Sequence, residues 1–230
     1  MPFHLSPVNL STDFPELMAV QWASYESPPQ QFFRLFCPIQ HNDRTASLQE
    51  STARMLEWQH HDAHAQWIKV TDTSTGKIVG AAWYKVYHHE NPFAHHEREV
   101  AEWYPDDSTR EFVSQAIEQM DGPRMEKGAR PQVFANILFT HPDYRRRGIG
   151  RMLVQWGIDK ARELDLEFWL NATPWGKPLY ESLGFRVVQR NPLAPKTDCP
   201  DEKWRMMEEE FRDIVFYAMY LPREGDVGGK

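Results

Sequence analysis

The segment that most constrains this chain is Thr140–Arg151, in which an apolar run passes into an amphipathic run through two closely spaced glycines. The residues before it, Val133–Thr140, are rich in β-formers and predict a strand. The residues after it place Met152, Leu153 and Trp156 at helical spacing, so the glycines open a helix. The N–H groups and positive dipole end of a helix N-terminus attract anions, and glycines let an anion approach closely. Three consecutive arginines add positive charge, so the segment predicts a phosphate-binding turn.

Two common nucleotide motifs do not fit this turn. A P-loop needs a Lys-Ser/Thr pair after its last glycine, whereas Arg151 follows Gly150 here. A dinucleotide fingerprint needs a third glycine where Leu153 stands. The pattern Arg145-x-x-Gly148-x-Gly150 resembles instead the Q/R-x-x-G-x-G/A signature of the GCN5-related N-acetyltransferase (GNAT) superfamily.

The resemblance continues downstream of the turn. Leu170–Pro174 is similar to the fifth strand of the family, and Pro178–Phe185 resembles its Tyr-Glu-x-x-Gly-Phe segment. The best-matching core covers residues 131–190. The resemblance implies a single-domain α/β fold with a mixed, mostly antiparallel β-sheet flanked by helices. It also implies acetyl-coenzyme A as the co-substrate.

Composition limits the partners and the compartment that we expect. A chain of 230 residues suits one domain, which we place at residues 1–222 with a flexible tail at 223–230. The net charge of −7 argues against nucleic-acid and anionic-membrane partners. The start of the chain lacks the pattern of a secretory signal, and only two cysteines are present. We therefore expect a cytoplasmic location.

Local patterns predict the remaining elements. The segments that we expect to be regular are a strand at 3–8, a helix starting near Ser11, a helix at Thr45–His61, a strand hairpin of Trp67–Val70 and Ile78–Tyr87, a strand at 166–170, a short helix at 178–183, and strands at 185–188 and 214–221. Residues 191–203 are predicted to be a loop. Residues 91–130, with helical pieces around 108–120, are predicted to be an insertion, either near the acceptor site or passive on the surface.

The family resemblance implies how the coenzyme is held. The pyrophosphate would bind the amides of the turn, and the pantetheine arm would bond to backbone groups of Leu138 and Thr140 where the fourth and fifth strands part. The amide of Phe139 or of its neighbour would stabilise the oxyanion. The residues that we expect to bind the coenzyme are Leu138, Phe139, Thr140, Arg145, Arg146, Arg147, Gly148, Ile149, Gly150, Arg151 and Asn171.

The resemblance implies that Tyr180 is the catalytic residue that protonates the departing thiolate, although a packing role also remains open. The sequence does not select a general base, and Glu26, Glu90 and Glu97 are equal candidates. The clustered histidines lack the His-Glu-x-x-His pattern, so we predict no metal.

The function that these features imply is transfer of an acetyl group to a primary amine of a small molecule or peptide. A different acyl-coenzyme A, an oxygen acceptor, or a non-catalytic module that binds acyl-coenzyme A also stays open. Monomer and homodimer are both open.

Overall fold

A single seven-stranded sheet organises the computed structural model, which describes residues 2–226. The strands are β1 (Phe3–Pro7), β2 (Ala65–Asp72), β3 (Ile78–Tyr87), β4 (Gln132–Thr140), β5 (Glu167–Ala172), β6 (Arg186–Pro192) and β7 (Val215–Leu221). The α-helices are α1 (Phe14–Glu26), α2 (Phe32–Phe36), α3 (Arg44–His61), α4 (Ser108–Lys127), α5 (Ile149–Glu163), α6 (Lys177–Glu181) and α7 (Glu202–Glu210).

The sheet has the strand order β1-β2-β3-β4-β5-β7-β6. Only the central pair of β4 and β5 is parallel, and the other neighbouring pairs are antiparallel. The expected α/β fold with a mixed, mostly antiparallel sheet is therefore confirmed. The predicted hairpin is also confirmed, because β2 and β3 pair across the turn that joins them.

Helices cover both faces of the sheet because side chains alternate along each strand. On one face, α5 buries Leu153 and Ile158 against β-strand residues such as Phe168. On the other face, α1 and α3 pack against residues such as Trp83 and Phe139. Burial of each such side chain contributes about 1.5–3 kcal/mol to folding. No helix within residues 2–226 is both long and apolar enough to cross a membrane.

A third apolar cluster joins α2, α4 and α7. The segment 91–130, for which we predicted helical pieces around 108–120, carries the 20-residue helix α4. Asp107 caps this helix by accepting a hydrogen bond of 2.9 Å from the Thr109 amide. Helix α4 packs on α7 and on the β5, β6 and β7 end of the sheet.

The predicted loop at 191–203 is partly wrong. Strand β6 extends to Pro192, and α7 begins at Glu202. The overlooked signal is Asp201, which caps the Trp204 amide at 2.8 Å, followed by the buried Trp204, Met207 and Phe211 at helical spacing. Of the predicted tail, residues 227–230 lie outside the described residues.

Gly157, in the middle of α5, sets how closely this helix approaches the sheet. A Cβ atom at this position would lie 2.6 Å from the ring of Phe168 and 2.9 Å from that of Tyr84. We expect Gly157→Ala to lower the free energy of unfolding by about 1–3 kcal/mol, because rigid rings cannot yield. Denaturant titration measures the change. The cost should shrink in a Phe168→Leu background, and an equal cost in both backgrounds would contradict this explanation.

Candidate active site

Strands β4 and β5 are hydrogen-bonded to each other only along their first residues. Their pairing covers Gln132–Ala135 against Glu167–Leu170 and then stops, although β4 continues to Thr140 and β5 to Ala172. The register between β3 and β4 shifts at Asn136, which is an extra residue in β4. Such a bulge bends a strand and increases its local twist. A gap therefore opens beside the second half of β4.

Alternate residues of β4 turn their backbone groups toward this gap. The amide of His141 donates to the Val79 carbonyl oxygen at 2.9 Å, so the backbone groups of residue 141 point toward β3. Because these directions alternate along a strand, the backbone groups of residue 139 also point toward β3. The backbone groups of Leu138 and Thr140 then face the gap. The carbonyl oxygen of Leu138 accepts a hydrogen bond of 2.9 Å from the Tyr25 hydroxyl, across the gap rather than within the sheet.

The backbone of Phe139 lies on the β3 side of the strand. Phe139 pairs with Ala81 of β3, so its amide is used in the sheet. Its side chain lines the cavity described below and packs edge-on against Tyr25 and Trp67. On this part of β4, the backbone groups that face the gap belong to the neighbours of Phe139.

The predicted phosphate-binding turn has the geometry of an anion site. Gly148 adopts a φ of 89°, a left-handed conformation that favours glycine, and a Cβ atom at this position would meet no atom within 4 Å. The Met152 amide donates to the Gly148 carbonyl oxygen at 3.0 Å and makes the first turn of α5. The amides of residues 149–151 precede this bond, so they have no acceptor within the helix. At Gly150, the absence of a side chain leaves room for Leu179. The Cδ2 atom of Leu179 would lie 3.1 Å from a Cβ atom added at this position.

The four arginines of the turn differ in their surroundings. The guanidinium of Arg145 donates to the carbonyl oxygens of Ser24, at 2.6 Å, and Ser27 at the end of α1. Burial lowers the pKa of Arg145. The side chain of Arg145 thus anchors α1, and it does not extend from the turn as a free phosphate ligand.

The next arginines are more exposed. Arg146 has a φ of 58° and lines the cavity. Arg147 stacks on Tyr144 with its guanidinium carbon 4.9 Å from the ring centre, and it is not a lining residue. Arg151 lines the cavity and donates to the Ser182 hydroxyl at 3.1 Å.

Asn171, predicted to contact the coenzyme, connects β5 to α4. Its amide nitrogen donates to the Asp121 carboxylate of α4 at 2.7 Å. Asp121 also accepts a bond of 2.7 Å from Arg124, which is buried. Asn171 lines the cavity, and within the described residues its side-chain oxygen has no hydrogen-bond partner.

Tyr180 lies in α6 with 8% of its surface exposed, and it packs edge-on against Phe185. Burial raises the pKa of its phenol well above the usual value near 10, so the hydroxyl keeps its proton at neutral pH. Tyr180 lines the same cavity as the binding turn and the free edge of β4.

One cavity of about 1160 Å³ joins these features. It runs from the turn, past the gap, to a compartment on the other side that we call the acceptor pocket. The residues of the acceptor pocket come from α2, α3, β3, the 91–130 segment and the ends of β4 and β7: Phe32, Phe36, Trp58, Asp62, Trp83, Lys85, Glu99, Ile117, Met120, Asp121, Arg124, Phe134 and Phe216. Residues of the 91–130 segment thus form part of its wall.

The acidic side chains at the cavity are not those considered from the sequence. Glu26 is bound by Arg34 and by Arg44, each at 2.7 Å. Glu90 is exposed and lies 2.8 Å from His64, and Glu97 is exposed. The acidic residues that line the cavity, within the described chain, are Asp62, Glu99 and Asp121. They were missed because none lies near a motif. In the described part of the chain, no three His, Cys, Asp or Glu side chains are grouped to hold a metal ion.

Comparison with known proteins places this geometry in a family. A segment of 50 residues is 32% identical to a probable acyltransferase, SID5, of Ajellomyces capsulatus, and it covers 22% of this chain and 37% of that protein. This chain therefore matches much less than two thirds of that relative.

Solved structures support the fold. The acetyltransferase of Corynebacterium glutamicum ATCC 13032 described as histone acetyltransferase HPA2 and related acetyltransferase is 20% identical, with 97% of both chains covered and a TM-score of 0.59. The C-terminal condensation domain of Ebony is 15% identical over 95% of this chain and 98% of that one, with a TM-score of 0.63. The profile of the Acetyltransferase (GNAT) family matches residues 28–185, which is more than half of the chain. This chain belongs to the acetyltransferase (GNAT) family.

Proposed function

We propose that this acyltransferase moves an acetyl group from acetyl-coenzyme A to a primary amine of a small molecule or peptide. The observation that carries the proposal is the single cavity that joins the amides of the binding turn, the free edge of β4 and Tyr180. A thioester and an amine that enter from opposite ends of this cavity would meet at the gap.

The coenzyme would be bound mainly by backbone groups. Its pyrophosphate suits the first amides of α5, because a helix N-terminus stabilises negative charge. Its pantetheine arm contains amides and can pair with an unpaired strand edge, here at Leu138 and Thr140. Tyr25 already donates to the Leu138 carbonyl oxygen, but a carbonyl oxygen has two lone pairs and can accept a second bond.

In the proposed reaction, the acceptor ammonium first gives a proton to water, the neutral amine then attacks the thioester carbonyl carbon, and the carbon–sulfur bond breaks. The negative oxygen of the tetrahedral intermediate needs an N–H donor, which a backbone amide of Leu138 or Thr140 can supply at the gap. The sulfur leaves with the bonding electron pair and receives the phenolic proton of Tyr180. The phenol is restored by the proton that the amine loses, directly or through water.

Measuring thiol release with acetyl-coenzyme A and a panel of amines distinguishes acetyl transfer from binding of the coenzyme alone. The proposal expects free thiol and acetylated amine in equal amounts. Coenzyme binding without thiol release would favour a non-catalytic binding module. Release only with longer acyl groups would favour a different acyl donor, and release only with alcohols would favour an oxygen acceptor.

Gly148 provides a test of the coenzyme site. Gly148→Ala adds a Cβ atom where φ is 89°, which strains the turn by about 1–2 kcal/mol and shifts the amides beside it. We expect the affinity for acetyl-coenzyme A, measured by calorimetry, to fall at least about tenfold. Gly76→Ala is the matched control, because Gly76 has a φ of 73°, no atom within 4 Å of an added Cβ, and a place in the hairpin turn. Unchanged affinity in the Gly148 variant would contradict the site.

Tyr180→Phe tests the proposed acid. We expect turnover to fall about 100-fold while coenzyme affinity stays within about twofold, because only the proton donor is lost. Tyr217→Phe is the control, since Tyr217 is a half-buried tyrosine that packs against the same core but does not line the cavity. Full turnover by the Tyr180 variant with every active acceptor would rule out the acid role.

The raised pKa of Tyr180 can be measured directly. In the folded protein, wild type and Tyr180→Phe should release equal numbers of phenolic protons up to about pH 11, because burial holds the Tyr180 proton. In denaturant, the variant should release one proton fewer near pH ~10. Because the folded state holds this proton longer, it contributes stability that is lost as pH rises above ~10. A difference of one proton near pH 10 in the folded state would show that the phenol is not buried.

A further inference from the structure

The acceptor pocket combines apolar walls with one unmatched charge, and this combination indicates what it binds. That the pocket receives the acceptor rests on the proposed function. The ion pairs of the charged side chains in and beside the pocket indicate which charge the acceptor should carry.

The walls are aromatic. Six aromatic side chains and two aliphatic ones line the pocket: Phe32, Phe36, Trp58, Trp83, Phe134, Phe216, Ile117 and Met120. Such a surface favours an apolar or aromatic molecular body, because contact with it removes apolar area from water.

The cationic side chains Lys85 and Arg124 of the pocket each form an ion pair with an acidic side chain of the protein. The Lys85 ammonium lies 2.9 Å from the Asp62 carboxylate. The Arg124 guanidinium lies 2.7 Å from the Asp121 carboxylate. Each of these two acids is therefore matched by a base.

Arg54, beside the pocket, is matched in the same way. It lies 2.7 Å from Glu50 and donates to the Phe36 carbonyl oxygen at 2.8 Å. Its guanidinium also covers the ring of Trp58 at 4.8 Å from the ring centre. Arg54 is therefore already committed to these partners.

Glu99 is the acid without such a partner. Within residues 2–226 no cationic group lies within 4 Å of its carboxylate, and the charged or titratable groups that face it are Lys85, Asp121, Arg54 and His96. Its side chain is exposed to solvent where it lines the cavity. Desolvation by the surrounding protein raises its pKa, and the nearby charges of Lys85 and Arg54 act in the opposite direction.

The position of Glu99 is fixed by the residues on either side of it. Ala101 is fully buried, and its amide donates to the Ser114 hydroxyl at 3.0 Å. Arg98 turns to the outer surface of α4, where it pairs with Glu111 at 2.8 Å. Glu99 therefore lies at the cavity between the outward-facing Arg98 and the exposed Val100, two residues before the buried Ala101.

We propose that Glu99 binds the ammonium group of the acceptor, and that the acceptor is a primary amine with an apolar, aromatic body. The aromatic walls hold the body of the molecule, and the ammonium supplies the positive charge that Glu99 lacks. A charge-assisted hydrogen bond at Glu99 discriminates against uncharged and acidic molecules of the same shape.

The test compares two probes of nearly identical shape, 2-phenylethylamine and 2-phenylethanol, by calorimetric titration of the protein without coenzyme at pH 7. We expect the wild type to bind the amine at least about tenfold more tightly than the alcohol. Glu99→Gln should remove this preference and leave the affinity for the alcohol unchanged. Glu97→Gln is the control, since Glu97 is exposed and does not line the cavity.

Three outcomes would overturn the inference: no binding of either probe, equal binding of both by the wild type, or an unchanged preference in Glu99→Gln. A separate titration with acetyl-coenzyme A distinguishes this failure from a failure of the proposed function. Glu99→Gln should bind the coenzyme as the wild type does, because Glu99 lies in the acceptor pocket and not at the binding turn.

Discussion

The site depends on the place where β4 and β5 stop pairing, after Ala135 and Leu170. Each lost backbone hydrogen bond costs about 0.5–1.5 kcal/mol, so such a gap in the middle of a sheet persists only if its surroundings enforce it. The extra residue Asn136 bends β4. The hydroxyl of Tyr25, which lies outside the sheet, donates a hydrogen bond to the carbonyl oxygen of Leu138. The remaining backbone groups face the cavity, where water or a ligand must satisfy them.

The C-terminal end of α1 connects the two halves of the site. Arg145 of the binding turn donates to the Ser24 carbonyl oxygen of this helix, and Tyr25 of the same turn of helix reaches Leu138 on the strand edge. Glu26, the last residue of α1, is paired with arginines of α2 and α3. A displacement of α1 would therefore change the turn, the strand edge and the acceptor pocket together. The spacing of the motif suggests that Arg145 is a phosphate ligand, but its side chain binds the end of α1.

Sequence reasoning succeeded where a feature is local. The turn at Gly148, the hairpin and the strand–helix order follow from glycine chemistry and side-chain periodicity, which neighbouring residues determine. The gap beside β4 could not be predicted in this way, since it depends on which strands lie next to each other. Glu99 was missed for the same reason, because its lack of a partner depends on ion pairs formed by distant residues. Helix α7 was missed although Asp201 carried a local capping signal.

Burial also decides whether Tyr180 can serve as an acid. For free groups, a proton moves from a phenol of pKa ~10 to a thiolate of pKa ~8.5 at a cost of about 2 kcal/mol. Burial raises the pKa of Tyr180, which taken alone would increase that cost. The same effect acts on sulfur in this protein, because burial raises the pKa of the Cys37 thiol to about 12. In the proposed reaction, a thiolate that leaves beside Tyr180 would be destabilised by the same loss of water, so both pKa values would be raised.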